Sequence, residues 1–546
     1  MRSVLRRNVT FTSVCTALSI AAFATLSPST LSAQENVILQ QKGGGLTISG
    51  KLVGSDSTSF VVESPDFGRI TVDKARFICV GRDCPSGAEA APLVASTGSA
   101  TSQIGPDFGV YGSNTVGGQL MPAMVEGYAT SLGGSSRLIL GSEPEQSKID
   151  ILDPSNQKLA RIDLKAKGSG TSFPALLDGS ASIGMSSRPA KDKEAASLIE
   201  GGLGDVRDAG KEHVIALDGL IIIVSPDNPI KLLSIDQVAA IYSGEITDWS
   251  ELGGKPGPIT AYTRPPRSGT FDTFISLVMK PFGRKLASNV VELEANVEIS
   301  DSVARDSSAI AYVPFAFERN ARAVSIATAC GITSQASVFD VKTEEYPLAR
   351  RLFLYTTNRA LPNHAKGLLD YSLSPAARQH VNEVGFIDLS PSRRPFAQQA
   401  LRLAAALNVP AEDFSADLMR EFVADFGNFD RLSFTFRFRS GSTELENLSL
   451  QKLSDFAREL TSGSLSNQRI RLVGFADSIG GFENNRVLSA ARAESVKSAL
   501  LSAGAGRIDP ARIEVRGYSE LMPVACNTDA SGREKNRRVE VWVDAG

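Results

Sequence analysis

From residue 104 to about residue 390, short β-prone runs alternate with helix-like ones, and this alternation restricts the middle of the chain to layered α/β architecture. Ile221-Ile222-Ile223-Val224 and Ile310-Ala311-Tyr312-Val313 are unbroken apolar runs, as expected of buried strands, and Asp236 to Tyr242 has helical spacing. Three Gly/Ser/Thr loops punctuate the segment, each just ahead of a helical pattern. They are Gly112-Ser113-Asn114-Thr115-Val116-Gly117 before Leu120 to Ala129, Gly168-Ser169-Gly170-Thr171 before Phe173 to Leu177, and Arg264-Pro265-Pro266-Arg267-Ser268-Gly269-Thr270 before Phe271 to Met279. A helix N-terminus presents unpaired N–H groups and the positive end of the helix dipole, so each loop is suited to an anion. Ser and Thr are equally the ordinary N-caps, so one loop alone says little. No Lys-Ser/Thr follows the glycines, which excludes a Walker A loop.

A chain of 546 residues is too long for one core, and about three domains are expected. Residues 1–33 read as a secretory signal peptide. Arg2, Arg6 and Arg7 precede the apolar stretch Val14 to Leu26, and Leu31-Ser32-Ala33 offers a cleavage site. Residues 34–85 read as a small β domain, with strand-like runs at Val37–Leu39, Leu46–Ile48, Ser59–Val62 and Arg69–Val72. Residues 86–103 are an Ala/Ser/Gly/Thr linker, residues 391–429 a helical connector, and residues 430–546 a final domain opened by a strand from Leu432 to Phe438.

Export permits disulfides. Cys79 and Cys84 are expected to pair, whereas the sequence leaves Cys330 and Cys526 open between free thiols and a bond across domains. A zinc site is not expected, because there is no paired CxxC and only three histidines. No other metal or cofactor is expected. A formal charge of −3 gives no electrostatic reason for a nucleic-acid partner.

Residues 104–390 resemble the periplasmic phosphate-binding protein of Pst-type ABC transporters. The resemblance is carried, in order, by Ile183-Gly184-Met185-Ser186-Ser187-Arg188-Pro189, Ile241 to Trp249, Arg264 with Ser268-Gly269-Thr270, and Tyr346-Pro347-Leu348. It implies two α/β lobes that close on a ligand at a hinge, without covalent chemistry. By position it implies that Thr115, Val116 (through its N–H), Ser169, Arg264, Ser268, Gly269 and Thr270 hold the anion. Some members of that family have an aspartate that accepts the proton of hydrogen phosphate. Ser187 stands at the matching position, followed by Arg188, and both are included in the expected site. Asp218 and Asp272 are candidate substitutes for the acceptor, and Arg267 is an additional charge beside the third loop.

Residues 430–546 resemble the OmpA-like peptidoglycan-binding domain through Gly474-Phe475-Ala476-Asp477, Asn485, Leu488-Ser489, Arg492-Ala493, Gly517 to Glu520 with Pro523, and Asn536 to Glu540. Diaminopimelate in a peptide stem carries an ammonium and a carboxylate. The resemblance implies that Asp477 and Arg492 meet them, with Asn485 and Arg538 nearby. Arg537 and Arg538 alternate along a strand, so one is expected to face the site and the other solvent. The family's usual His-Thr before the aspartate is Phe475-Ala476 here.

The expected architecture is therefore a multidomain α/β chain: a small β domain, a two-lobed periplasmic binding-protein fold, and an α+β OmpA-like domain. The expected function is capture of phosphate or a related oxyanion by a protein of a Gram-negative-type periplasm, attached to the cell wall, with an ABC permease as a candidate partner. The alternative is an envelope structural protein anchored to peptidoglycan whose two-lobed domain binds another ligand or a protein partner. An enzyme is not expected, since the sequence has no GxSxG motif and no metal-ligand cluster.

Overall fold

A computed structural model of the chain describes residues 37–41, 47–55, 57, 59–64, 68–74, 77–80, 107–143, 145–266, 268–407, 415–438 and 444–545. The leader, the linker, Cys84 and Arg267 lie outside the described residues. Residues 1–97 and 98–546 form two separate compact units.

The first unit is an antiparallel sheet of the strands Val37–Gln41, Thr47–Ser55, Ser59–Ser64, Gly68–Asp73 and Phe77–Val80. The first four follow one another as a meander, and the last pairs back onto the first. Phe60 and Val62 are buried on one face, as alternation requires. The strand Phe77–Val80 was not expected. It carries Cys79, which is disulfide-bonded.

In the second unit an eleven-stranded sheet runs through both lobes of the middle segment. Its centre is the long strand Glu212–Val224 against Ala349–Tyr355, antiparallel, with a bulge between Val214 and Ala216. On one side the sheet continues through Ile183–Ser186 and Phe108–Gly112; on the other, Leu220–Val224 pairs with Ala309–Pro314. The expected apolar runs are buried in these strands: Ile221 to Val224 and Ile310 to Val313 are all fully buried. The expected helix is Ile235–Ser243. Ser234 caps it by accepting from the Gln237 N–H at 3.0 Å, and Gln237 returns a bond to the Ser234 N–H.

The last segment is a sheet of Phe429–Arg437, Arg538–Asp544, Ile470–Phe475 and Ile513–Gly517, with helices Asn447–Ser462 and Phe482–Ala503 packed on one face. Residues 391–429 are more than a connector. Arg393–Pro395 adds an edge strand to this sheet, and helix Ala416–Phe426 covers its other face by burying Phe422 and Phe426 against Phe475, Tyr518 and Trp542.

The two segments of this unit are joined through buried charges and one covalent bond. Cys330 and Cys526 form a disulfide. Arg431 is fully buried, ion-paired with Glu345 and with its Nε 3.1 Å from Glu540. Arg437 pairs with Glu344, and Gln451 of helix Asn447–Ser462 bonds both the N–H and the C=O of Val214 on the central strand.

Candidate functional site

The cleft forms where the loops after Phe108–Gly112 and Thr260–Thr263 meet over the central strands. The loops come from opposite lobes. Thr115 Oγ1 donates to the Gly269 carbonyl at 3.3 Å, so the lobes are in contact. A Cβ on Gly269 would stand 2.5 Å from Thr115 Oγ1, so only glycine admits this approach. A cavity of about 220 Å³ lies beside the contact, lined by Thr115, Arg264, Ser268, Gly269 and Thr270 together with Asp218 and Asn296.

Each donor has a local reason for its place. Ser268 caps the helix Gly269–Phe274 by accepting from the Thr270 N–H at 3.2 Å. Arg264 donates through Nη1 to Asn296 Oδ1. Its backbone N–H reaches the Tyr312 hydroxyl at 3.4 Å, and that hydroxyl also bonds Thr263 Oγ1 at 2.6 Å. Burial pushes the Tyr312 phenol up to about 12, so it remains a neutral support under the loop.

Other expected residues stand further back. Ser169 Oγ accepts from the Ser187 N–H at 3.0 Å and lies 3.2 Å from Ser187 Oγ, so these two hydroxyls bind each other and do not line the cavity. Val116 N–H is directed at Ser113 Oγ, 3.4 Å away. Arg188 makes a two-pronged pair with Glu194 at 2.8 and 2.7 Å. Asp218, raised only as a substitute, lines the cavity, whereas Asp272 is 61% exposed.

Sequence reasoning missed Arg350. It lies opposite Asp218 across the central strand pair, with Nε 3.1 Å from Asp218 Oδ2. Its Nη2 donates to Thr115 Oγ1 at 2.7 Å and to the Gly269 carbonyl at 3.1 Å. The signal that could have found it is its position two residues after the matched Tyr346-Pro347-Leu348.

The second site lies on the last domain. Asp477 follows the strand Ile470–Phe475, and Asn485 and Arg492 project from the helix Phe482–Ala503. A Cβ on Gly474 would fall 1.8 Å from the Ser489 carbonyl, so that glycine lets helix and strand touch. Asn485 Nδ2 donates to the Asp477 carbonyl at 3.1 Å and to Glu520 at 2.6 Å. Arg492 is buried, and its Nε and Nη1 have no hydrogen-bond partner among the described residues. Burial, reinforced by the Arg537 charge and opposed by Asp477, lowers its guanidinium below the usual value.

Arg537, not Arg538, reaches Asp477, with Nη1 2.6 Å from Oδ2. Arg538 faces neither the site nor solvent. It is fully buried, donates to Glu540 and to the Met522 carbonyl, and stacks 4.3 Å from the Phe475 ring. The alternation holds, but helix Ala416–Phe426 covers the face that was expected to be wet. The same helix accounts for Phe475, which points into that apolar layer.

Two lobes joined by crossing strands, with the cleft at the hinge, are the architecture of periplasmic binding proteins. In agreement, residues 115–376 match the PBP superfamily domain and residues 437–537 match the OmpA family. The chain belongs to the family of PstS phosphate-binding proteins. It is 31% identical over 235 residues to the phosphate-binding protein PstS of Bacillus subtilis, covering 42% of this chain and 72% of that protein. It is 26% identical over 275 residues to PstS of Staphylococcus saprophyticus, covering 48% and 83%. Among solved structures, the last domain is similar to the peptidoglycan-associated lipoprotein from Burkholderia pseudomallei, at 27% identity over 20% of this chain and 89% of that one, with a TM-score of 0.18. Among the described residues, no helix is long and apolar enough to cross a membrane.

Proposed function

We propose that this chain is an exported envelope protein that captures phosphate in the cleft and holds peptidoglycan through its last domain. The observation that carries the reading is the convergence of Thr115, Arg264, Ser268 and Thr270 from two lobes on one small cavity. A dehydrated oxyanion needs nearly all its oxygens met by donors, and hydroxyls, backbone N–H groups and a guanidinium meet that need. Binding takes place by lobe closure, without bond making, and an ABC permease is the partner such a receptor would serve. Ser169, Ser187 and Val116 belong to this site as supports of its first two loops.

Calorimetric titration of the mature chain with phosphate, and with sulfate as control, tests the capture. Micromolar or tighter phosphate binding is expected. No heat with either anion would refute it and favour a purely structural, wall-linked role.

The unpartnered Arg492 donors beside Asp477 support binding of a zwitterionic stem peptide, carboxylate to Arg492 and ammonium to Asp477. Arg537 already occupies Asp477, so it must share that carboxylate with the ligand or yield it. Arg492→Ala is expected to lower retention on insoluble peptidoglycan by about tenfold or more, because charge-assisted bonds to a carboxylate are lost. Retention equal to wild type would place the wall contact elsewhere.

A further inference from the structure

The last domain holds the two lobes unequally. To the lobe of Gly269 it is joined by the Cys330–Cys526 disulfide and by the pairs of Arg431 with Glu345 and of Arg437 with Glu344. Lys452 Nζ adds a bond to the Lys342 carbonyl at 3.0 Å. Val341 and Tyr346, on either side of those glutamates, share a core with Phe274 of the helix that Gly269 opens.

To the lobe of Thr115 it is joined by one helix face. Asn447, Gln451 and Asp455 recur every fourth residue along the helix Asn447–Ser462 and so lie on one side of it, whereas Leu453, Phe456 and Leu460 are buried in the domain's own core. Asn447 Nδ2 donates to the Arg207 carbonyl at 2.8 Å and to Glu212 Oε1 at 3.0 Å. The Gln451 amide extends the sheet at Val214, accepting from its N–H at 3.2 Å and donating to its carbonyl at 3.1 Å. Asp455 accepts from Arg378 Nη2 at 3.0 Å. These partners belong with Thr115. Glu212–Val214 pairs with Phe353–Tyr355, which pairs in turn with Gly184–Ser186, and Val381, on the helix of Arg378, shares a core with Val116. The contact also reaches an anion loop. Glu212 Oε2 accepts from the Tyr355 hydroxyl at 2.8 Å, and that hydroxyl accepts from the Ala190 N–H at 3.0 Å, just past Ser187-Arg188-Pro189.

The second joint is polar, and a cavity of about 210 Å³ beside it is lined by Val214, Leu373, Arg378, Gln451 and Asp455. A joint of this kind parts more readily than a disulfide and buried ion pairs. In the present arrangement the lobes are together at Thr115 and Gly269. With the domain fixed to one lobe, opening moves the other lobe against it and separates these side chains from their partners. Bonds made only with the lobes together favour that arrangement. A ligand bound by the closed form then binds in proportion to the closed population.

We propose that Asn447, Gln451 and Asp455 are positioning residues for phosphate capture, a brace by which the last domain holds the lobes together and raises affinity in the cleft. The brace rests on the reading of the cleft as a phosphate site and gives the last domain a task besides holding the wall.

The test compares the mature full-length wild type with the triple variant Asn447→Ala, Gln451→Ala, Asp455→Ala, with thermal melts to check folding. Calorimetry is expected to show phosphate bound about tenfold more weakly, within the usual range for coupling between sites. Small-angle scattering without phosphate is expected to give the variant a larger radius of gyration than wild type, returning to the wild-type value at saturating phosphate. Residues that were merely structural would lower the melting temperature and leave both readouts unmoved. Phosphate affinity within twofold of wild type would overturn the brace. If the triple variant fails to fold, Gln451→Ala alone takes its place, with about threefold weaker binding and the same reversible expansion expected, and unchanged affinity would overturn the brace. Wild type silent to phosphate would refute the phosphate reading of the cleft. Anion-free scattering of the variant identical to wild type would refute the brace whatever the cleft binds.

Discussion

Glu540→Gln is expected to destabilise the joint between the last domain and the two-lobed segment by about 3 to 5 kcal/mol, the cost of breaking a buried ion pair from one side. Glu540 is fully buried and receives Arg402, Arg431 and Arg538, and its Oε2 also accepts from Trp542 Nε1 at 3.2 Å. The amide would leave three guanidinium groups with one carboxylate fewer to balance them, Glu345 remaining. Burial pushes the Glu540 carboxyl up, but Arg402, Arg431 and Arg538 pull it down to about 2 from an ordinary 4.5. Glu344 and Glu345 are lowered in the same way by Arg351 and Arg437 and by Arg431 and Arg402. Because the folded-state value is depressed, this stabilisation is fully present above about pH 4.5 and is lost as pH falls towards 2. Trp542 sits against the cluster and is one of two tryptophans, so its emission in a Trp249→Phe background reports on this region. Denaturant midpoints should be flat from pH 7 to 5 in wild type and fall below 4.5. The Glu540→Gln midpoint should start lower and fall less. Equal midpoints at pH 7 would show that the cluster contributes nothing net.

Arg264→Ala is expected to reduce phosphate affinity by roughly a hundredfold to a thousandfold, the usual range for truncating one partner of a desolvated charge pair. Arg264 lines the cavity on the lobe opposite Thr115, and Asn296 and Tyr312 hold its side chain and backbone. Its loss would remove the guanidinium that the third loop supplies to the anion. Arg264→Lys should recover part of the loss, since it keeps the charge but not the planar fork. Arg188→Ala is the informative control. Its guanidinium is already satisfied by Glu194, so phosphate affinity should change by less than about threefold. Calorimetry reads all three variants. A large loss in Arg188→Ala together with a small one in Arg264→Ala would reverse the assignment of the anion's cation.

Much of both sites was legible because their residues come in short local strings. A capped helix start such as Ser268-Gly269-Thr270 is a property of a few adjacent residues, and Asp477 stands in the short string Gly474-Phe475-Ala476-Asp477, although the contact of Gly474 that sets it beside its helix is with the more distant Ser489. Buried strands such as Ile221 to Val224 announce themselves by unbroken apolar character. The illegible parts are pairings between distant residues. Arg350 follows a matched motif, yet nothing near it says that Asp218, 132 residues earlier, lies across the strand pair. Arg538 was expected to face the wall site or solvent because alternation gives two faces but does not say what covers them. Helix Ala416–Phe426 covers one of them, and the pattern of residues 391–429 by itself predicts only a helical connector.

By itself the sequence determined the order of the domains, the layered class of each, and the residues that cap, bend or donate at the loops, because those properties depend on neighbours within a turn or two. Only the tertiary structure decided that Cys330 bonds Cys526 across 196 residues, that Arg537 rather than Arg538 meets Asp477, and that Arg350 bonds to both lobes at the cleft. The physical reason is common to all three. A charge or thiol is selected by what low-dielectric surroundings leave within reach, and which groups share those surroundings is set by how whole layers pack.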